Sequence, residues 1–324
     1  LKFEDIDLKQ LNLASQAEVA ESEFCFSYPL QSPSLIDSIH EVGQVQPILV
    51  CFKNGSYQLV CGHRRVLACQ ELNFKSVLCG LIPERPPVKL LELAIYDNLS
   101  TRGLNAVEKA IIISKLQNYL SPEQIILKYL PLLKLQPHYK ILDKFLHIAG
   151  FEDKLKQAIV SGKIHEELSG QLSKWSVADQ MALVDLFNHI PFSIANQQEL
   201  IINIWEIGQR EGMQPAAVLN AKDLLDILAD SSLSNPQKGH KLRQYLAVRR
   251  YPKLSAIESK FRRLLNRLQL PKGTKLIPPA YFERSKFKLE CEFNRPEQLE
   301  QQLSVLSEKA HNPAWQDIFR LGRK

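Results

Sequence analysis

The stretch 45-VQPILVCF-52, Asn54-Gly55, 56-SYQLVC-61 restricts this 324-residue chain more than any other feature. Two β-rich segments separated by Asn-Gly specify a tight antiparallel hairpin, because both turn positions favour residues that accept a left-handed backbone. Gly62 then permits a sharp turn into 64-RRVLACQELN-73, which reads as a helix, and 75-KSVLCGLI-82 reads as a further strand. Upstream, Leu35, Ile36, Ile39 and Val42 recur at helical spacing, with Ser34 as the expected cap and Gly43 as the expected stop. Pro83, Pro86 and Pro87 close the unit, so residues 1–82 predict a small mixed α/β domain.

Residues 88–230 read as helix almost throughout, with Ser121-Pro122 and Gln136-Pro137 marking helix starts. Pro131 interrupts the pattern, and a loop is expected there. The polar stretch 231-SSLSNPQKGHK-241 predicts a linker into a basic helical region broken near Pro252, and 275–310 reads as strand, strand, helix. The fold class is therefore α+β: a mixed α/β N-terminal domain (1–103), an all-α middle domain (104–232) and a basic helix with a small C-terminal α+β domain (233–324).

Hydrophobic residues make up 45% and charged residues 23%, as in ordinary globular chains, and no apolar run approaches a membrane span. The charged, alternating N-terminus is unlike a signal peptide, and Leu1 in place of Met leaves room for a short leader upstream. Cysteines at 25, 51, 61, 69, 79 and 291 form no CxxC pair and no zinc-like spacing with histidine, which predicts reduced, buried thiols and a cytoplasmic setting.

The turn 62-GHRR-65 carries the first chemical signal. A helix start offers unpaired N–H groups and the positive end of the helix dipole, and the guanidinium forks of Arg64 and Arg65 suit phosphate oxygens. Two cations at that end oppose the dipole, and a bound anion would offset them; the alternative is a pair of solvated first-turn arginines. The second signal is 97-DNLSTRGLNAVEKA-110. Asp97 and Asn98 are hard oxygen ligands suited to Mg²⁺ beside a phosphate, or else simply close a helix, and Arg102 adds a further guanidinium. Asn105 with Glu108 has capping-box spacing, which predicts a structural role for both.

Taken together, G-x-x-Q-P-I-x-V (Gly43, Gln46, Pro47, Ile48, Val50), G-x-R-R-x-x-A (Gly62, Arg64, Arg65, Ala68) and D-N-x-x-x-R-x-L-N (Asp97, Asn98, Arg102, Leu104, Asn105) resemble the ParB family of chromosome- and plasmid-partition proteins. The resemblance implies a ParB/sulfiredoxin-like N-terminal domain. It implies a nucleotide site drawing on Gln46, Pro47, Gly62, His63, Arg64, Arg65, Asn98 and Arg102, with CTP as the family's nucleotide and Mg²⁺ on Asp97 and Asn98. It also implies DNA as a partner, a partition ATPase, a homodimer and a nucleoid-associated location in the cytoplasm. His63 stands where the family has glutamate, and Asp97 where it has glutamate. The first change removes a carboxylate associated with hydrolysis, so binding is expected with weak or absent triphosphatase activity; the second shortens a carboxylate by one methylene. An imidazole at 63 is expected to contact a phosphate, more favourably if protonated.

The family's helix-turn-helix place is occupied by 121–148, where the exposed face of 137-PHYKILDKFLHI-148 presents Lys140 and Lys144 as candidate base readers. Leu130-Pro131 replaces the glycine-containing turn of such a motif, so a packed helical domain that reads no sequence is the competing expectation. The window 238–275 carries +11 against +6 for the whole chain, which is the footprint of a phosphate-backbone binder; Arg262, Arg263 and Arg267 share one helical face, opposite Phe261, Leu264, Leu265 and Leu268. Pro252 argues against a membrane-surface helix. Two other functions fit parts of the pattern: a small-molecule kinase or other phosphotransfer enzyme on the same fold, and a non-catalytic adaptor with a decayed nucleotide site. Cys61 precedes Gly62 rather than following it, which argues against a sulfiredoxin.

Overall fold

The structure, a computed structural model, describes residues 1–11, 13, 15–283 and 286–321. It is a mixed α/β chain with many helices and a small sheet, and it divides into two compact units, Leu1–Glu199 and Leu200–Lys324. The boundary between them falls inside the helix Ile194–Glu211.

The sheet of the first unit comprises β1 (Lys2–Asp7), β2 (Ile48–Lys53), β3 (Ser56–Cys61) and β4 (Ser76–Ile82), in the order β1-β4-β2-β3. The hairpin between β2 and β3 forms as predicted: Lys53 pairs with Ser56, and Asn54 (φ 51°) and Gly55 (φ 81°) both take the left-handed turn. The helix α3 (His63–Glu71) crosses from β3 to β4, and β4 returns parallel to β2. Between β1 and β2 lie α1 (Gln16–Glu21) and α2 (Pro33–Val42). The cap of α2 is Ser32 rather than Ser34, because Pro33 fits the first helical turn. Alternate residues Ile48 and Val50, Leu59, Val77 and Cys79 bury one sheet face against Ile39, Val66 and Cys69. β1 escapes the sequence reading because KFEDID buries Ile6 alone; its acidic alternation suits a solvated edge, and its pairing with β4 makes it a strand.

Helices follow the sheet. α4 (Pro87–Thr101) and α5 (Ala106–Leu116) are joined through Arg102 and the Asn105–Glu108 capping box. The helix read over 122–130 forms, and the break expected at Pro131 does not: a π turn over Ile125–Tyr129 is followed by Leu130 and Pro131, which has no N–H to continue an α ladder, and the chain stays helical to Leu132. The helix Tyr139–Ala149 buries Leu142, Phe145 and Ile148 and packs on α5.

In the second unit, Pro252 separates the helices Asn235–Arg250 and Pro252–Leu268. The strands Thr274–Ile277 and Lys288–Cys291 pair antiparallel and precede the helices Pro296–Lys309 and Ala314–Leu321. Phe261, Leu264, Leu268, Leu276, Phe282 and Ile318 form its own core. All six cysteines are free thiols, five buried and Cys291 half-buried. No helix among the described residues is long and apolar enough to cross a membrane.

Candidate functional site

In the first unit a cleft of about 260 Å³ is lined mainly by three segments, the turn into α3, the last turns of α4 and the irregular segment 24–32, with Leu35, Gln46 and Val60 completing it. Gly62 ends β3 in a left-handed conformation (φ 98°), and a Cβ there would lie 3.2 Å from Ile48 Cγ1 and 3.3 Å from Arg65 Nε. Glycine is therefore needed for both the turn and the close approach. No side chain caps α3 and no acid sits in its first turn, so its N–H groups keep their anion-binding character. On α4, Ala94, Asp97, Asn98 and Thr101 recur at helical spacing and face the cleft together, followed by Arg102.

The three arginines are held differently. Arg65 Nη1 donates to the Pro47 carbonyl at 2.6 Å, and its Nη2 lies 3.9 Å from Asp97 Oδ2. Arg64 Nη2 donates to Glu108 Oε1 at 3.1 Å, and Arg102 Nη1 to Glu108 Oε2 at 2.7 Å. Burial, reinforced by the Arg102 charge, lowers the pKa of Arg64; burial lowers that of Arg65, opposed by Asp97. Both remain cationic at neutral pH, since guanidinium groups titrate so high. Arg64 Nε and Arg102 Nη2 are buried with no hydrogen-bond partner.

Of the expected nucleotide residues, Gln46, Gly62, His63, Arg64, Arg65, Asn98 and Arg102 all line this cleft. Pro47 does not; it lies behind Arg65 and fixes that guanidinium through its carbonyl. The structure favours the neutral form of His63. The ring is buried and its Nε2 sits 3.1 Å from Ser22 Oγ. Burial, with Lys115 and Arg65 nearby, pulls its pKa down to about 3, so it is neutral at neutral pH and supplies no charge to a phosphate.

Among the described residues, no cluster of three or more His, Cys, Asp or Glu side chains is arranged to hold a metal. Asp97 and Asn98 nevertheless suit Mg²⁺, which commonly takes one or two protein oxygens plus phosphates. Asp97 is only loosely paired with Arg65, and Asn98 Nδ2 donates to the Ala94 carbonyl at 2.9 Å, leaving Oδ1 as its acceptor.

Phe24, Phe26, Ser27, Ser32 and Thr101 also line the cleft and carry no signal in the sequence reading. The segment 22–32 has no periodicity; side-chain contacts from distant positions fix it. Lys115 Nζ donates to Ser22 O at 3.0 Å, and Gln58 and Tyr119 donate to Glu23 at 2.6 Å each. Tyr28 Oη donates to Asp153 Oδ1 at 2.7 Å. The aromatic run Phe24-Cys25-Phe26 ahead of a serine is the signal that could have marked it.

Residues 30–99 match the ParB N-terminal domain family. This segment is a ParB N-terminal domain. The chain is similar to a probable chromosome-partitioning protein ParB of Campylobacter jejuni, 27% identical over 170 residues, covering 52% of this chain and 59% of that protein. It is similar to a nucleoid occlusion protein of Oceanobacillus iheyensis, 27% identical over 152 residues, covering 46% of this chain and 51% of that protein. The chromosome-partitioning protein ParB of Caulobacter vibrioides is 38% identical over 80 residues, covering 24% of this chain and 26% of that protein. The chain thus spans about half, or less, of these relatives' length. A solved structure of C-terminally truncated ParB from Caulobacter crescentus complexed with CTP-gamma-S covers 58% of this chain and 99% of that one at 20% identity, with a TM-score of 0.24. The ParB N-terminal domain holds every expected cleft residue except Arg102, which lies three positions beyond its matched end.

The candidate DNA-contacting residues fare unequally. Lys140 is exposed. Lys144 is largely covered and paired: its side chain is 12% exposed and its Nζ pairs with Glu166 at 3.3 Å and Glu167 at 2.7 Å. Lys144→Ala is expected to cost about 1 kcal/mol of stability, the scale of a partly exposed ion pair. It should leave preference between two duplex sequences unchanged, as checked by urea unfolding and fluorescence anisotropy. In the second unit, Arg262, Arg263 and Arg267 are exposed while Phe261, Leu264 and Leu268 point inward, as the pattern predicts. Part of the surrounding charge is already paired. Arg249 pairs with Glu211 at 2.5 Å, Arg250 with Glu206 at 2.7 Å, and Lys275 with Glu292 at 3.1 Å. The +11 of the window therefore overstates the field, and the helix Pro252–Leu268 keeps the exposed arginines.

Proposed function

We propose that this chain is a nucleoside-triphosphate-binding, DNA-binding protein of the ParB kind, acting in chromosome or plasmid partition. One observation carries the reading: Arg64, Arg65 and Arg102 converge with Asp97 and Asn98 on one cleft, within and just beyond a ParB N-terminal domain. The triphosphate lies against the uncapped start of α3 and the guanidiniums of Arg64 and Arg102, with Arg65 fixed behind Gly62. CTP is the proposed nucleotide, the one whose thio analogue occupies the Caulobacter crescentus structure. Mg²⁺, when bound, would be held by Asp97 and Asn98 and would screen phosphate charge. Burial holds the His63 pKa far below neutrality, so its ring is too weak a base to draw a proton from attacking water, and the chain binds its nucleotide with little turnover. A homodimer, a partition ATPase partner and a nucleoid-associated cytoplasmic location complete the proposal.

A calorimetric screen over CTP, ATP, GTP and UTP, with and without duplex DNA, tests the nucleotide half. The expected result is selective CTP binding that changes when DNA is present; no binding to any of the four overturns it. The DNA half rests on the exposed arginines of the helix Pro252–Leu268. Each phosphate contact contributes about −0.9 to the slope of log affinity against log salt. Replacing Arg262, Arg263 and Arg267 together with alanine is expected to flatten that slope by about 2–3 units. The loss should be similar for two unrelated duplexes, because phosphate contacts carry no base information. An unchanged slope would mean that these arginines only solvate a structural helix.

A further inference from the structure

Glu108 is fully buried, and it is absent from the cleft wall, yet it meets both arginines that the proposed phosphate chain would need. Its Oε1 accepts from Arg64 Nη2 and from the Tyr28 N–H, each at 3.1 Å. Its Oε2 accepts from Arg102 Nη1 at 2.7 Å and from the Asn105 N–H at 3.1 Å. The capping box of α5 accounts for the Asn105 contact alone, and glutamine serves a capping box as well as glutamate. The other three donors come from the turn into α3, the end of α4 and the segment 22–32, which are the three walls of the cleft. A negative charge is called for by the two guanidiniums, whose mutual repulsion a carboxylate between them offsets. After these contacts, Arg64 Nε and Arg102 Nη2 still lack acceptors, and buried donors in that condition point to a missing acceptor.

We infer that Glu108 is a positioning residue for nucleotide binding, resting on the cleft reading above. It touches no ligand itself. It holds Arg64 and Arg102 side by side so that their remaining donors meet phosphate oxygens, and it ties that pair to Tyr28. Tyr28 in turn reaches Asp153 on the helix Asp153–Val160. A phosphate that draws on both arginines therefore bears on the same carboxylate that anchors the segment 22–32.

The test is Glu108→Gln, which keeps the cap and removes the charge, read by calorimetry with CTP and by competition with cytidine. The expected result is about a tenfold or greater loss for CTP, with cytidine affinity within about twofold of wild type, since hydrogen bonds to charged groups operate only on the phosphate side. Because Glu108 acts through the two arginines, Glu108→Gln added to Arg64→Ala/Arg102→Ala should cost no further CTP affinity. Should the glutamine variant fail to fold, Glu108→Asp asks the same question by keeping the charge and shortening its reach, with an expected loss confined again to CTP. Equal losses for CTP and cytidine, or full additivity in the triple variant, would reduce Glu108 to a structural cap. Unchanged CTP binding in a wild-type-like fold overturns the positioning role while leaving the cleft intact. A wild-type chain that binds no nucleotide removes the cleft reading and this inference together.

Discussion

Arg64→Ala is expected to weaken nucleotide binding about 10–150-fold without unfolding the protein. The guanidinium lines the cleft with a side chain 22% exposed, and its Nε has no partner within the protein. Hydrogen bonds to charged groups are worth about 1.5–3 kcal/mol, and each 1.4 kcal/mol is roughly tenfold in affinity. The protein tolerates the change because the Glu108 carboxylate keeps Arg102, Tyr28 N–H and Asn105 N–H as donors, so no buried charge is abandoned. Arg65→Ala should behave differently. It removes the donor to the Pro47 carbonyl and the packing beneath Gly62, so its loss of affinity arrives with a loss of stability. Calorimetry with CTP, beside thermal melting of each variant, separates the two. Unchanged CTP affinity in Arg64→Ala would take this arginine out of the site.

His63 makes the folded state sensitive to acid. Burial holds its folded pKa at about 3, well below the ordinary value near 6.5 of an unfolded chain. Below about pH 6.5 the unfolded chain therefore takes up a proton that the folded chain refuses until about pH 3. The preference for a neutral ring is fully expressed above the unfolded pKa and is lost as pH falls toward the folded one. The slope is about 1.4 kcal/mol per pH unit, which amounts to about 2 kcal/mol of lost stability by pH 5. His63→Gln retains a side chain able to meet Ser22 and cannot titrate. Urea unfolding at pH 7, 6, 5 and 4 should show wild type losing this increment relative to the variant, with carboxylate effects common to both cancelling in the difference. Parallel pH profiles would mean that His63 is solvated in the folded state. Nucleotide affinity should be independent of His63 protonation between pH 6 and 8, because the ring is neutral throughout that range.

What the sequence determined by itself is local and short-range. Asn54-Gly55 fixes a hairpin because few residue pairs accept that turn, and Gly62 fixes the strand-to-helix corner for the same steric reason. The spacing of Asp97, Asn98 and Arg102 placed those residues at the end of a helix beside the same phosphate chemistry, and the structure brings them together with Arg64 and Arg65. The helical face of Phe261, Leu264 and Leu268 was legible because one helix needs one buried stripe.

The tertiary structure decided what depends on partners far along the chain. β1 is a strand only because β4 lies beside it, and the segment 22–32 has a shape only because Gln58, Lys115, Tyr119 and Asp153 hold it. Lys144 reads as a free cation on its own helix and becomes an ion pair when Glu166 and Glu167 arrive from a later turn. The roles of His63 and Glu108 were decided in the same way. Adjacent residues reveal a candidate phosphate contact or a cap, but burial sets the charge of an imidazole, and the arrival of two arginines from separate helices turns a capping glutamate into their shared counter-ion. Charge and burial are sums over everything nearby in space, and that neighbourhood exists only once the chain has folded.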